Sequence, residues 1–487
     1  MKTDYLFTSK RMKGLWKVLS ASSVPIVRSY NKKELTLVLE QLEKQIQNND
    51  YLPSVPYGYL GLPKGEGVTR FLPIIKENDL LVFYSLTLAL QDFLVSSLPG
   101  VFGGYRVVPP KAKKEIFNST NLKDIKDKSI TSISDFDWGY GFGNTMAQKA
   151  WFKDWQQYTS FLEEAINDVP SHYKLITTDI ANFYDTINID KLSNKITRRL
   201  SKGGADEGFF DIQDMLITFL RYWDRRLNGY LASSKGIPQE IVTDASRILA
   251  NFYLNDFDVK FSEYCKLNKL VYTRWADDVV VFGPSIKKLE EAIHKASRYL
   301  INDGLNLNSS KTKIYSKSKF VSYRGLEIIN TINEGKKYKI DKVIKKLQKT
   351  LVTKTPVRND TIFKRMLTFA VQHPDACTKS VHAYLDDCSK NYSLVSGLHS
   401  HQLFKLISIS DEPKVELRRL TKLLVSKPYA GPKAVLLQLL WKSRVGLKKI
   451  GMTDKDLKWV ILQVKAASED SEIILNICVP KASSMIV

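Results

Sequence analysis

The stretch VYTRWADDVVVFG (residues 271–283) holds two β-rich runs, VYTRW and VVVFG, around the adjacent aspartates Asp277 and Asp278. β-branched and aromatic residues suit a pleated, half-buried surface, so each run reads as a strand. The short gap between them is the length of a hairpin turn. Aspartate in such a turn has an ordinary use, because its side chain bonds the turn's own backbone. Two adjacent carboxylates at so tight a bend also repel each other. Both readings stay open from these residues alone.

Working outward, KLITTDI (174–180) is a second β-rich run, and Asp179 closes it before IANFYDTI (180–187) turns towards helix. Neighbouring strands lie about 4.8 Å apart, so an Asp179 strand beside the hairpin would let three carboxylates meet. Hard oxygen ligands of that kind suit Mg²⁺, which keeps several of its waters. Two such ions about 3.5–4 Å apart can stabilise the attacking and leaving oxygens when a nucleotide joins a 3′ end.

The segment KLEEAIHKASRYLINDG (288–304) has the spacing of an amphipathic helix, so residues 171–330 read as strand, turn and helix units. Residues 1–55 look helical and basic. LPSVPYGYLGLPK (52–64) reads as an extended connector, VTRFLPII (68–75) as a short strand, and DFDWGYGFGN (135–144) as loop. The apolar run Leu80 to Gln91 is too short to span a bilayer and reads as a buried helix. Beyond Lys336 the segments DKVIKKLQKTL, TIFKRMLTFAVQ and PKAVLLQLLWK are helix-like, as a bundle or an irregular solenoid.

The 487 residues allow about two to four domains. Lys plus Arg number 73 against 51 Asp plus Glu, a net charge of +22 that suits a polyanionic partner. The four cysteines form no CxxC pair and read as reduced cytosolic thiols, with neither a zinc cage nor a disulfide framework. The close pair His399 and His401 reads as a solvated loop rather than a metal site. The N-terminus breaks its apolar residues with charge and is no secretory signal. A cytoplasmic protein without a membrane partner is expected.

Taken in order, TDIANFYDTI (178–187), SKGIPQ (234–239) with SRILANFYL (246–254), and RWADDVVVFG (274–283) resemble the palm motifs of reverse transcriptases. GLNLNSSKTKI (304–314) resembles the next palm motif, FVSYRGLEI (320–328) the hairpin that grips the primer, and PKGEGVTRFLPI (63–74) with GGYRVVP (103–109) the fingers. The resemblance covers roughly residues 60–330. It implies an α+β fold, a right-hand polymerase with fingers and a ferredoxin-like palm sheet, followed by an all-α C-terminal domain. The expected divisions are an N-terminal helical extension (1–60), fingers (61–170), palm (171–335) and thumb or C-terminal helices (336–487).

The same resemblance implies roles. Asp179, Asp277 and Asp278 would hold two Mg²⁺ ions, with Mn²⁺ as the alternative, and the carbonyl of Ile180 would complete one coordination shell. Tyr184 stands where an aromatic gate excludes a ribose 2′-hydroxyl and favours dNTPs. Lys64, Arg70, Gln239 and Lys311 would contact the nucleotide, and Gly236, Pro238 and Trp275 the template or primer. The sequence departs from the usual pattern at Glu240, which follows Gly-Ile-Pro-Gln where glycine is common, and at Trp275, which replaces a tyrosine. About two additional residues also separate Gln239 from Leu249–Ala250–Asn251.

The helical tail and SRILANFYL resemble the abortive-infection and unknown-group bacterial reverse transcriptases that act in phage defence. That likeness implies an RNA template (a dedicated non-coding RNA in some members), a DNA product, a protein primer in others, and homo-oligomers. Tyr384, Tyr392 and Tyr429 are the tail hydroxyls for such priming, though packing is the simpler reading of each. The alternatives are a group II intron- or retron-like reverse transcriptase and a non-catalytic RNA-binding scaffold. FKDWQQY (152–158) and RYWDRRLNGY (221–230) interleave aromatic and basic residues. They suit base stacking or an amphipathic helix burying its rings.

Overall fold

A computed structural model describes residues 4–22, 30–65, 67–105, 146–224, 236–239, 244–334, 340–345, 347–348, 358–469 and 474–484. They divide into two compact units. One holds the described residues up to Tyr57 and from Pro73 to Lys317; the other holds Gly58–Leu72 and the described residues from Ser318 onward.

The first unit opens with helices α1 (Ser9–Ser22) and α2 (Lys32–Gln47). In α2 Leu35, Leu39, Leu42 and Ile46 fall on one buried face, and Asn31 and Glu34 close a capping box at its start. Helix α3 (Glu77–Leu94) is buried on nearly every side, as the run from Leu80 to Gln91 predicts. Helices α4 (Met146–Asp168), α5 (Ile189–Lys202), α6 (Glu207–Tyr222), α7 (Asp244–Tyr253), α8 (Asn255–Leu267) and α9 (Ile286–Ile301) follow. Ser285 caps α9, and its inward residues Leu289, Ala292, Ala296 and Leu300 recur at helical spacing.

A five-stranded sheet carries the site. Strands β3 (Val101–Phe102), β4 (Lys174–Asp179), β5 (Val271–Trp275), β6 (Asp278–Gly283) and β7 (Lys313–Ser316) lie in the order β3-β5-β6-β4-β7. The β3–β5 pair is parallel, and the other three pairs are antiparallel. Helices α8 and α9 pack against this sheet. A buried lysine, Lys195 of α5, ties its surroundings together by donating to the Tyr253 carbonyl at 2.8 Å and the Asp303 carboxylate at 3.0 Å.

The second unit contains a hairpin of β1 (Tyr59–Gly65) and β2 (Val68–Pro73), whose last residue passes into the first unit. The hairpin packs closely on a helix of the same unit, Ala430–Lys442, where a Cβ on Gly431 would meet Leu62 Cδ2 at 2.2 Å. The rest of its described residues are mainly helical, with Ile362, Phe363, Met366, Leu403, Ile407, Leu437 and Leu440 in the core. Where FVSYRGLEI was expected to form a hairpin, the structure has helices Lys317–Arg324 and Leu326–Glu334. Gly325, at φ +64°, breaks the chain between them, and Phe320, Ile328 and Ile332 turn inward with helical rather than alternating spacing.

Cys265, Cys377, Cys388 and Cys478 are free thiols. Among the described residues no helix is long and apolar enough to cross a membrane.

Candidate active site

Strand β4 lies antiparallel beside β6, with Asp179 directly opposite Asp278. Asp278 is in turn the partner of Trp275 on β5, so Trp275, Asp278 and Asp179 form one row across three strands. Directly opposed residues share a face of the sheet, about 4.5–5.5 Å apart at Cα. Ala276 and Asp277 make the turn, with Ala276 in the left-handed region at φ +53°. The N–H of Ile180 reaches back to the carbonyl of Asp277 at 3.3 Å. The register therefore brings Asp179 beside the Asp277–Asp278 turn, which lies nearly a hundred residues further along the chain.

Their environments differ. Asp179 is 4% exposed, Asp277 is half-buried and Asp278 is exposed. Asp179 Oδ2 accepts from the ammonium of Lys311, while its Oδ1 is buried without a hydrogen-bond partner. Lys311 arrives there because β7 pairs with β4: Asn308 donates its N–H to the Asp179 carbonyl at 2.8 Å, and the Thr178 and Thr312 hydroxyls meet at 2.7 Å. Among the described residues, no group of three or more His, Cys, Asp or Glu side chains stands ready to hold a metal. The donor chemistry nevertheless fits Mg²⁺, with hard carboxylate oxygens on neighbouring strands and an orphaned, buried Oδ1 that a cation would satisfy. In this arrangement the Lys311 ammonium supplies part of that positive charge.

Tyr184 and the Gly-Ile-Pro-Gln segment also meet. Ile237 donates its N–H to the Tyr184 carbonyl at 3.0 Å, and Trp223 Nε1 donates to the Gly236 carbonyl at 3.3 Å. Gly236 has φ +65°, and a Cβ there would stand 2.0 Å from the Tyr184 carbonyl oxygen. No other residue fits that approach. Pro238 is anchored through its carbonyl by the Ser246 hydroxyl at 2.5 Å, and Gln239 is half-buried at the end of the described segment. Glu240 lies outside the described residues. Phe183 is buried beside the half-buried Tyr184, their ring centres 5.7 Å apart.

Trp275 is 9% exposed, and its ring packs edge-on against Trp155 at 4.8 Å and beside Tyr158 at 5.4 Å. Trp155 and Tyr158 of FKDWQQY thus pack against the sheet residue Trp275. From RYWDRRLNGY only residues 221–224 are described, and Trp223 is buried. Lys64 and Arg70 are exposed on the β1–β2 hairpin of the second unit. His399 starts a helix and stacks on His401, 5.9 Å between ring centres.

Sequence reasoning passed over three residues beneath the acidic turn. Arg274 is completely buried in β5 and paired with Asp258 of α8, which is 1% exposed. Gly103, at φ +97°, sits so close to the turn that a Cβ would lie 2.7 Å from the Ala276 nitrogen. A signal for the first two existed: an arginine inside an apolar strand must find an acidic partner, since unpaired buried charge is costly.

Residues 103–328 match the family model described as reverse transcriptase (RNA-dependent DNA polymerase), so this chain carries a reverse-transcriptase domain. Its architecture is the α+β fingers and palm of that class, followed by a helical C-terminal region. A retron Ec83 reverse transcriptase from Escherichia coli is 28% identical over 151 residues, covering 28% of this chain and 44% of that protein. The match thus spans less than half the relative's length. Among solved structures, a telomerase from Candida albicans in complex with a fragment of telomeric RNA shares 11% identity, with TM-score 0.34, covering 83% of this chain and 69% of that one. An apo telomerase from Candida tropicalis shares 12% identity with TM-score 0.31, covering 60% and 59%.

Proposed function

We propose that this protein is an RNA-directed DNA polymerase that adds dNTPs to a growing 3′ end. The observation that carries the reading is the register of Asp179 opposite Asp278 in a stretch that matches the reverse-transcriptase family. Asp179, Asp277 and Asp278, with the Ile180 carbonyl, would hold Mg²⁺ or Mn²⁺. Such ions stabilise the charge that develops on the attacking and leaving oxygens of phosphoryl transfer.

The chain's own groups supply the rest. Tyr184, whose backbone carbonyl accepts the Ile237 N–H, would be the bulk that a ribose 2′-hydroxyl meets, which favours deoxynucleotides. Gly236 and Pro238 offer a close-packed backbone for template and nucleotide, and Gln239 lies at its edge. Lys311, bonded to Asp179 here, would contribute its positive charge to the nucleotide's phosphates. Lys64 and Arg70, on the hairpin of the second unit, are exposed cations of a kind suited to a nucleotide's phosphates.

The biological role that best suits the motif pattern is phage defence, with the enzyme assembled as a homo-oligomer. A dedicated non-coding RNA as template belongs to that reading, and a retron-like reverse transcriptase is the second, favoured by the similarity to a retron reverse transcriptase. Priming from the tail is the less supported route, because Tyr384 and Tyr429 are 0% and 9% exposed and the Tyr392 hydroxyl is buried.

Purified protein given Mg²⁺ and either dNTPs or rNTPs tests the central claim. Labelled dNTP incorporation that disappears in the folded Asp277→Ala/Asp278→Ala protein is expected; equal use of both nucleotide sets would defeat the gate at Tyr184. Sequencing RNA that copurifies tests for a dedicated template. Light scattering tests assembly, and phage plating on cells with and without the gene tests defence.

A further inference from the structure

We infer that Arg274, held by Asp258, is a positioning residue that sets the backbone of the Ala276–Asp277–Asp278 turn from behind the sheet. The inference rests on the polymerase reading of that turn and adds a part to it.

The guanidinium is 0% exposed and the carboxylate 1%. Their bonding is specific. Arg274 Nε donates to Asp258 Oδ1 at 2.8 Å, Nη2 donates to Oδ2, and the Tyr272 hydroxyl donates to Oδ1 at 2.7 Å. This two-pronged grip on the carboxylate leaves Nη1 to make one further bond, to the carbonyl of Ala276. A lysine, a compact charge on a flexible stem, could not make these bonds in one fixed plane.

Ala276 is where such a restraint matters. A non-glycine residue in the left-handed region is costly and persists only where its surroundings over-determine it. Both of its backbone polar groups are held, from different elements. Its N–H donates to the Phe102 carbonyl of β3 at 3.1 Å, and its carbonyl accepts from Arg274. The Arg274 N–H is itself fixed to the Gly100 carbonyl at 2.9 Å. The next two residues are Asp277 and Asp278.

Side chains alternate along a strand, so Arg274 and Tyr272 point to the face that α8 covers, opposite the row of Trp275, Asp278 and Asp179. Arg274 therefore acts on the aspartates through the turn's backbone. Because Asp258 neutralises it locally, its effect is on geometry more than on the field at the site.

Two variants separate this role from packing alone. Arg274→Lys keeps a cation for Asp258 but loses the carbonyl tether. Arg274→Met with Asp258→Leu removes both charges in favour of apolar volume, an exchange that buried ion pairs often tolerate. For either folded variant we expect kcat to fall at least tenfold with the KM for dNTP little changed. Mn²⁺ binding, read by electron paramagnetic resonance, should weaken several-fold, and amide hydrogen exchange should quicken at 276–278 while Val279–Phe282 stays protected. Wild-type kcat, Mn²⁺ affinity and turn exchange in a folded variant would overturn the inference. A wild-type protein that incorporates no dNTP with either ion would instead sink the polymerase reading, and the exchange measurement would still decide the tether.

Discussion

The ammonium of Lys311 is bonded to Asp179, the aspartate that faces Asp278 across the sheet. A lysine thus occupies the carboxylate that the proposed divalent cation would need, and the second oxygen of that carboxylate is buried and unpartnered. Lys311→Met should tighten Mn²⁺ binding in the absence of nucleotide while slowing incorporation, by roughly 10²-fold if the ammonium assists proton transfer to the leaving group. Titration by electron paramagnetic resonance, run beside single-turnover kinetics, checks both halves. Weaker Mn²⁺ binding in the variant would contradict the competition.

Asp179→Asn keeps the side chain's size and its acceptor oxygen but removes the charge. Loss of one such electrostatic group should cost roughly 10²–10³-fold in kcat. The fold should survive, since the strand register rests on backbone bonds between β4 and its neighbours β6 and β7. Incorporation assays paired with thermal melts test this, and an active Asp179→Asn protein would remove Asp179 from the metal site.

Tyr184→Ala should open the sugar pocket without disturbing the Ile237 bond, which uses the Tyr184 backbone carbonyl. The preference for dNTP over rNTP in kcat/KM should fall at least about tenfold, about 1.4 kcal/mol. An unchanged ratio would show that the ring is a packing partner of Phe183 and nothing more.

Gly236→Ala tests the close approach of the Gly-Ile-Pro-Gln segment. The new methyl would sit against the Tyr184 carbonyl, and the φ of +65° adds about 1–2 kcal/mol of backbone strain. The segment must shift, so KM for dNTP should rise and kcat should fall together. A variant with wild-type kinetics would show that the contact does not shape the site.

Asp154 offers a test by pH. Burial raises its carboxyl above the ordinary aspartate value, with the Gly103 N–H at 2.7 Å and the charge of Arg247 opposing. The folded state thus binds this proton more tightly than the unfolded chain. Its contribution favours folding at low pH and is lost as pH rises from the ordinary aspartate value through the raised one. Asp154→Asn keeps an acceptor for Gly103 and cannot titrate. The stability of wild type minus that of the variant, from urea melts, should therefore decline with rising pH across that window. A difference that grows with pH would reverse the assignment.

Much of the palm was legible in the chain. The two runs around Asp277 and Asp278, the strand ending at Asp179 and the amphipathic helix after the hairpin announce themselves by period and by turn chemistry, which are local properties. FVSYRGLEI was expected to be a hairpin from its resemblance to a family motif alone; its own residues form two helices, with Gly325 at the break between them.

Which strands became neighbours, and in what register, was beyond local reading. Hydrogen bonds between β4 and β6 put Asp179 opposite Asp278, and those between β4 and β7 delivered Lys311 to the same carboxylate. Arg274 found Asp258 by packing of α8 on the sheet. Side-chain identity determined what each residue can do chemically. Only the folded backbone decided which of them meet, because pairing over long stretches of chain depends on how all the apolar faces are buried at once.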